Sequence, residues 1–184
     1  YKMNDEIVSY TSVFGYLAQV PYVTNKNMKK RLGHAGYVLS AFPYIIKRPE
    51  HYLIEYETDN IIGQANCILG AITNSKGFGG IDLYKNVSLN DEKLELLLVS
   101  NANPKLIASL VSDYISNTID LNKYKDYLIM DSSSNIRLAF KETYPKFAFD
   151  NDGEKSNEII TYGNDTVIYK PAKKIKILKR KVQD

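Results

Sequence analysis

The chain has 184 residues, 44% apolar and 24% charged, with a formal net charge of +3. That is one ordinary domain, or one large piece of a bigger protein, with enough apolar residues for a core; disorder is not expected, and so small a charge does not call for nucleic acid. The one cysteine, Cys67, excludes an internal disulfide framework and suggests a reducing compartment, with a small buried thiol as its plainest role.

No apolar run approaches the ~20 residues that cross a bilayer, and no signal-peptide pattern opens the chain, so the expectation is a soluble, cytoplasmic protein. The first residue is Tyr1 rather than Met, which suggests a fragment. Fifteen tyrosines and no tryptophan suit half-buried sheet faces.

Ile7 to Val23 reads as extended, interrupted at Gly15. From Asn25 the period becomes helical, with Met28, Leu32, Ala35 and Leu39 on one face, as far as about Phe42 before Pro43. Lys29, Lys30 and Arg31 occupy its first turns, where cations oppose the macrodipole. Tyr52 to Thr58 alternates as a strand does and turns at Asp59-Asn60. Ile61 to Thr73 is a long apolar strand in which Gly63 and Gly70 make a bulge plausible.

The stretch from Asn74 to Val99 has a special character. Three glycines, Gly77, Gly79 and Gly80, fall within four residues; a turn follows at Asn90-Asp91-Glu92, then a long apolar run to Val99 suited to a buried strand. Asn103 before Pro104 is a cap followed by a favoured first helical residue, and Leu106, Ile107, Leu110, Val111, Tyr114 and Ile115 form one stripe on a helix ending near Asn117. Short strands are expected over Tyr127–Met130, Asn135–Phe140, Phe147–Phe149, Glu158–Tyr162, Thr166–Tyr169 and Ile175–Leu178. Many short strands with two helices argue a mainly β, antiparallel sandwich or barrel.

Asp150, Asp152 and Glu154 alternate around Gly153. Such a cluster either binds a divalent metal through oxygen, supplies a general base with a supporting partner, or is simply a polar hairpin turn. His34 and His51 lack partners at zinc-ligand spacing, and Gly77 to Gly80 lacks the lysine and hydroxyl ending of a phosphate loop. Lys170, Lys173, Lys174, Lys176, Lys179, Arg180 and Lys181 crowd the end of the chain. They read as the charged face of an edge strand or, more sharply, as a patch for an anionic membrane surface or nucleic acid.

In sequence order, these pieces resemble the carboxy-terminal domain of the bacterial diacylglycerol kinase family of lipid kinases, relatives of sphingosine kinases. Four stretches carry the resemblance: Val13-Phe14-Gly15, Lys29 through Tyr37, Asn74 through Asp91, and Asp152-Gly153-Glu154. It spans nearly the whole chain and implies a two-layer antiparallel β-sandwich with two short helices, the second domain of a two-domain kinase. It also implies that Glu154 is the catalytic base, that Asp152 orients it or helps with the metal, and that Asp91 binds Mg²⁺ with the backbone carbonyls of Ser88 and Lys93. Residues 1–184 would then be the lipid-binding and catalytic-base domain of an enzyme phosphorylating diacylglycerol or a related lipid alcohol. ATP would be held mainly by an amino-terminal domain, since the family's Gly-Gly-Asp-Gly-Thr motif is not in this chain. The partners expected are the lipid substrate, an anionic membrane surface, a second copy of the chain as a possible homodimer, and no nucleic acid. The location expected is cytoplasmic or peripheral at the membrane. Glu92 stands where the family prefers glycine, Lys85 where it prefers proline, and Val87 where it prefers alanine. A non-catalytic lipid or membrane-surface binding module is the alternative.

Overall fold

The computed structural model describes residues 1–15, 51–78, 81–85, 87–88, 91–100, 103–116, 118–141, 147–160 and 165–172. The helix expected between Asn25 and Phe42, the strand Ile175–Leu178 and the lysine-rich end lie outside these residues.

The described chain is mainly β, and all its strand pairings are antiparallel. In order the strands are β1 (Lys2–Met3), β2 (Glu6–Ile7), β3 (Thr11–Gly15), β4 (Tyr52–Thr58), β5 (Ile62–Thr73), β6 (Gly77–Phe78), β7 (Ile81–Asp82), β8 (Leu94–Ser100), β9 (Leu128–Ser133), β10 (Ile136–Phe140), β11 (Phe147–Asn151), β12 (Glu154–Ile160) and β13 (Thr166–Lys170). One sheet runs β12-β11-β3-β5-β4-β10-β13-β1-β2, with β8 joined to β5 and β9 to β8; β6 and β7 form a separate ribbon. The sheet nearly closes on itself: Glu6 on the edge strand β2 accepts hydrogen bonds from Ser156 on the opposite edge strand, β12, and from Asn151 at the end of β11.

The interior follows from alternation. Phe14, Ile54, Leu96, Leu98, Ile136, Leu138, Phe140, Phe149, Val167 and Tyr169 are buried within one apolar cluster. Phe14 is its hub, with ring centroids 5.2 Å from Phe140 and 5.5 Å from Phe149, both edge-on, a favoured aromatic geometry. Two glycines make room for it. A Cβ at Gly70 would meet the Phe14 ring at 2.1 Å, and Gly15, at φ +98°, would drive a Cβ into the Ile68 carbonyl at 2.3 Å.

Strand β8 is buried along its whole length because both of its faces are covered. Leu96 and Leu98 face the aromatic interior, while Leu97 and Val99 join a second cluster with Ile68 and Ile107. Ile107 comes from helix α1 (Pro104–Ile115), which starts as its sequence demands: Asn103 Oδ1 accepts from the Leu106 amide at 3.0 Å, and Pro104 supplies the first residue.

Several sequence expectations are corrected. The stretch from Ile7 is not one extended run, because the chain bends at Ser9-Tyr10 between β2 and β3. The irregularity in β5 falls between Cys67 and Leu69, and not at a glycine. Strand β12 begins at Glu154, four residues before the expected Glu158, since the hairpin pairs Asn151 directly with Glu154. A short helix beyond those expected, α2 (Leu121–Tyr124), is capped by Asp120, which accepts from the Asn122 amide at 3.0 Å.

Candidate functional site

The Asp-Gly-Glu stretch is the tip of the β11–β12 hairpin. Asn151 and Glu154 are paired, so Asp152 and Gly153 alone make the turn, with φ +56° and +90°. Those angles are the left-handed pair that matches the twist of the flanking strands, and Asp-Gly is a preferred sequence for it. Glu154 is exposed at the start of β12, and its side chain makes no hydrogen bond or ion pair among the described residues. Asp150 is 7% exposed, and its Oδ1 accepts from the Gly153 amide at 2.9 Å, bracing the turn from within.

Asp152 is held from outside the hairpin. Its Oδ1 accepts from the amides of Tyr10 at 2.7 Å and Thr11 at 2.9 Å, and its Oδ2 from the amide of Ser9 at 2.7 Å. Its own amide donates to the Thr11 carbonyl at 2.8 Å. Three amides converging on one carboxylate form a charge-assisted cradle. Both oxygens of Asp152 therefore face backbone N–H groups, and the hairpin tip is fixed to the segment joining β2 to β3.

That segment also reaches the glycine-containing loop. The Tyr10 carbonyl accepts from the Asn74 amide at 2.9 Å and from Thr73 Oγ1 at 3.0 Å, and the Tyr10 hydroxyl donates to the Gly77 carbonyl at 3.1 Å. Ser75 closes the loop on itself, its hydroxyl donating to the Gly77 carbonyl and accepting from the Gly77 amide. Ser9–Thr11 thus joins the two stretches that stand out in the sequence. No local pattern in the sequence marks Tyr10, because its partners lie more than 60 residues away.

The Ser88–Lys93 turn is built differently. Asp91 is exposed; its amide donates to the Ser88 carbonyl at 3.4 Å and its Oδ1 accepts from the Lys93 amide at 3.1 Å. Glu92 sits at φ +61°, a conformation glycine adopts at no steric cost. The Ser88 carbonyl and the Asp91 carboxylate are oxygen donors of the hard kind that suits Mg²⁺. The donor set fits such an ion provided backbone and water supply most ligands, since among the described residues no three His, Cys, Asp or Glu side chains gather to hold a metal. The structure does not bring this turn to the Asp152 hairpin through any hydrogen bond among the described residues.

Two other carboxylates are shifted. Glu95, 1% exposed on β8, is pushed above its ordinary range by burial, aided by Asp91 and Asp131 and opposed by the Ser132 hydroxyl at 3.2 Å. Asp59 is pulled down to about 2 by hydrogen bonds from Asn135 and Ser133 and by the Ser134 and Asn135 amides. It clasps the β9–β10 turn to the β4–β5 turn. Cys67 is buried and pushed up to about 12 by desolvation, as an inert core thiol would be.

No protein-family model matches this chain, and no curated protein does. Solved structures do. Two are of a "putative diacylglycerol kinase" from Bacillus anthracis str. Sterne: one has TM-score 0.62 at 20% identity, the other 0.57 at 22%, and each covers 91% of this chain and 51% of that one. A third, of diacylglycerol kinases from the same organism, has TM-score 0.54 at 14% identity over 91% of this chain and 47% of that one. The chain spans about half the length of each. No helix among the described residues is long and apolar enough to cross a membrane. Identities this low establish architecture alone: the chain has the fold of about half of these diacylglycerol kinase structures.

Proposed function

We propose that this chain is the carboxy-terminal, lipid-binding and catalytic-base domain of an ATP- and Mg²⁺-dependent lipid kinase acting on diacylglycerol or a related lipid alcohol. The observation that carries this is the Asp152–Glu154 hairpin, held by three backbone amides within a fold shared with diacylglycerol kinase structures. Glu154 is exposed at the tip and takes the proton of the lipid hydroxyl. As it does so, the lipid oxygen bonds to the γ-phosphorus of ATP and the bond to the β–γ bridging oxygen breaks, releasing ADP. Asp152 positions that base, because the cradle around its carboxylate fixes where the hairpin tip can lie. Phosphoryl transfer depends chiefly on positioning and charge stabilisation, which suits a nucleotide domain outside this chain facing a base on this one. Asp91, with the carbonyls of Ser88 and Lys93, would hold Mg²⁺, whose contribution there is to stiffen the turn. Apolar residues of the sheet interior would hold the acyl chains.

The test is Glu154→Gln in the full-length protein that carries this chain. Loss of a general base costs about 10²- to 10⁴-fold in kcat, while KM for lipid and ATP stays within a few-fold. Near-normal turnover in Glu154→Gln removes the catalytic role. A full-length protein that binds lipid vesicles without turnover would instead be a binding module.

A further inference from the structure

The outward face of the sheet beside this hairpin has an unusual make-up. Directly paired residues of antiparallel strands project to the same side. The register therefore aligns Ile7, Lys2 and Lys170 in one row across β2, β1 and β13. Two residues along β13, Ile168 begins a second row that continues through Arg137 and Glu57 to Ile62. Met3, Val167 and Tyr169, which alternate with these residues, are buried on the inner side. Of the four large apolar side chains exposed among the described residues, three lie in these rows: Ile7 at 65%, Ile62 at 79% and Ile168 at 37%. A sandwich normally turns polar residues to that side.

Cations outnumber carboxylates on the rows, with Lys2, Lys170 and Arg137 against Glu57. Lys2 and Lys170 are exposed and make no ion pair among the described residues; Arg137 meets the one carboxylate, Glu57, at 3.7 Å, an exposed pair of little strength. In sequence, Lys170 is followed after Pro171 and Ala172 by Lys173, Lys174, Lys176, Lys179, Arg180 and Lys181. The face also borders the candidate site, because Ile7 is two residues from Ser9, whose amide holds Asp152.

We propose that this face docks the chain on an anionic lipid surface, with Ile7, Ile62 and Ile168 entering the headgroup region while Lys2, Lys170 and Arg137 meet lipid phosphates. Isolated aliphatic tips among lysines are the chemistry of that boundary: the apolar ends leave water while the amines stay at headgroup level on flexible stems. The purpose of such docking rests on the lipid-kinase reading, since it delivers the hairpin to a substrate dissolved in a bilayer. The binding itself needs no turnover.

The experiment is co-sedimentation of the chain with phosphatidylcholine vesicles containing or lacking phosphatidylglycerol. The parent should favour the anionic vesicles at least about tenfold and lose that preference in high salt. Lys2→Gln with Lys170→Gln should weaken anionic-vesicle binding about 25-fold, roughly fivefold per cation. Ile7→Ser with Ile168→Ser should weaken it about tenfold, with unchanged melting temperature because both residues are exposed. Lys105→Gln, an exposed lysine on α1, should change nothing. The proposal is overturned if the parent shows no anionic preference. It is equally overturned if both double variants bind as the parent does, which would assign binding to the lysine-rich end alone. A third overturning result is that Ile7→Ser with Ile168→Ser abolishes self-association in sedimentation velocity and spares vesicle binding, making the face a contact between copies. Glu154→Gln should bind vesicles like the parent, so a failed kinase reading and a failed docking reading leave different records.

Discussion

Two acidic turns in this molecule carry a non-glycine residue in the left-handed region, Asp152 at φ +56° and Glu92 at φ +61°, and they are supported by different means. Asp152 receives three amides from a segment more than 140 residues away and donates its own amide to the same segment. Asp91, next to Glu92, accepts one amide from its own turn, at Lys93. A short aspartate tolerates the left-handed region and uses its carboxylate to anchor there, whereas a longer glutamate gains less from that backbone. The first turn is therefore fixed to a segment distant in sequence, whereas the Asp91 carboxylate closes its own turn. A residue positioned for chemistry benefits from the first arrangement, since the tip holding it cannot drift.

The largest test of this contrast is Asp152→Ala. It leaves three amides without their carboxylate and should cost roughly 2–4 kcal/mol in urea unfolding, whereas Asp91→Ala should cost about 1 kcal/mol or less. Equal losses would erase the distinction. On the proposed kinase reading, Asp152→Ala in the full-length protein should also lower kcat, and its effect should not add to that of Glu154→Gln if the two act as one unit.

Next in size are the backbone substitutions. Glu92→Gly should stabilise by about 0.5–1 kcal/mol, because glycine adopts φ +61° at no steric cost. Gly153→Ala should destabilise by about 1 kcal/mol; nothing lies within 4 Å of the added Cβ, so the loss measures backbone strain at φ +90° alone. Thermal melts of both variants against the parent decide the matter.

The smallest effects are pH-dependent and have opposite signs at two carboxylates. Glu95 keeps its proton above the ordinary carboxylate range in the folded chain. The unfolded chain ionises first as pH rises, so the folded state loses stability through that window and then levels off. Glu95→Gln should accordingly melt higher than the parent at pH 8 and much like it near pH 4. Asp59, pulled down to about 2 from an ordinary 3.8, adds stability that is complete above about pH 4 and is lost as pH falls towards 2. Asp59→Asn should flatten that acid limb without moving the Glu95 one.

The antiparallel β-rich architecture was legible in the sequence wherever local chemistry decides it. The run from Leu94 to Val99 announces a strand covered on both sides, Asn103-Pro104 announces a helix start, and Asp152-Gly153 announces a tight hairpin. What was not legible depends on partners distant in sequence. Nothing near Ser9, Tyr10 or Thr11 signals that their amides will face Asp152, because backbone donors look alike in every residue but proline. The run also hides Glu95, whose burial follows from β9 and Ser132 lying beside it. The early start of β12 comes from the two-residue turn, which leaves no loop to separate Asn151 from Glu154.

The link between Thr11 and Asp152 also has a consequence in time. Strand β3 pairs with β11, and the Thr11 amide reaches Asp152 across 141 residues. A ribosome adding about 5–20 residues per second leaves a wait of roughly 7–28 s between the emergence of the two strands. Contacts so far apart along the chain form late, after the loop-closure entropy has been met. During synthesis β3 has β5 as its nearer partner, while its other edge stays open with Phe14 lacking the cover of Phe140 and Phe149. The hairpin that bears Glu154 is thus among the last parts of the sheet to be seated, and a newly made chain exposes its stickiest edge until that happens.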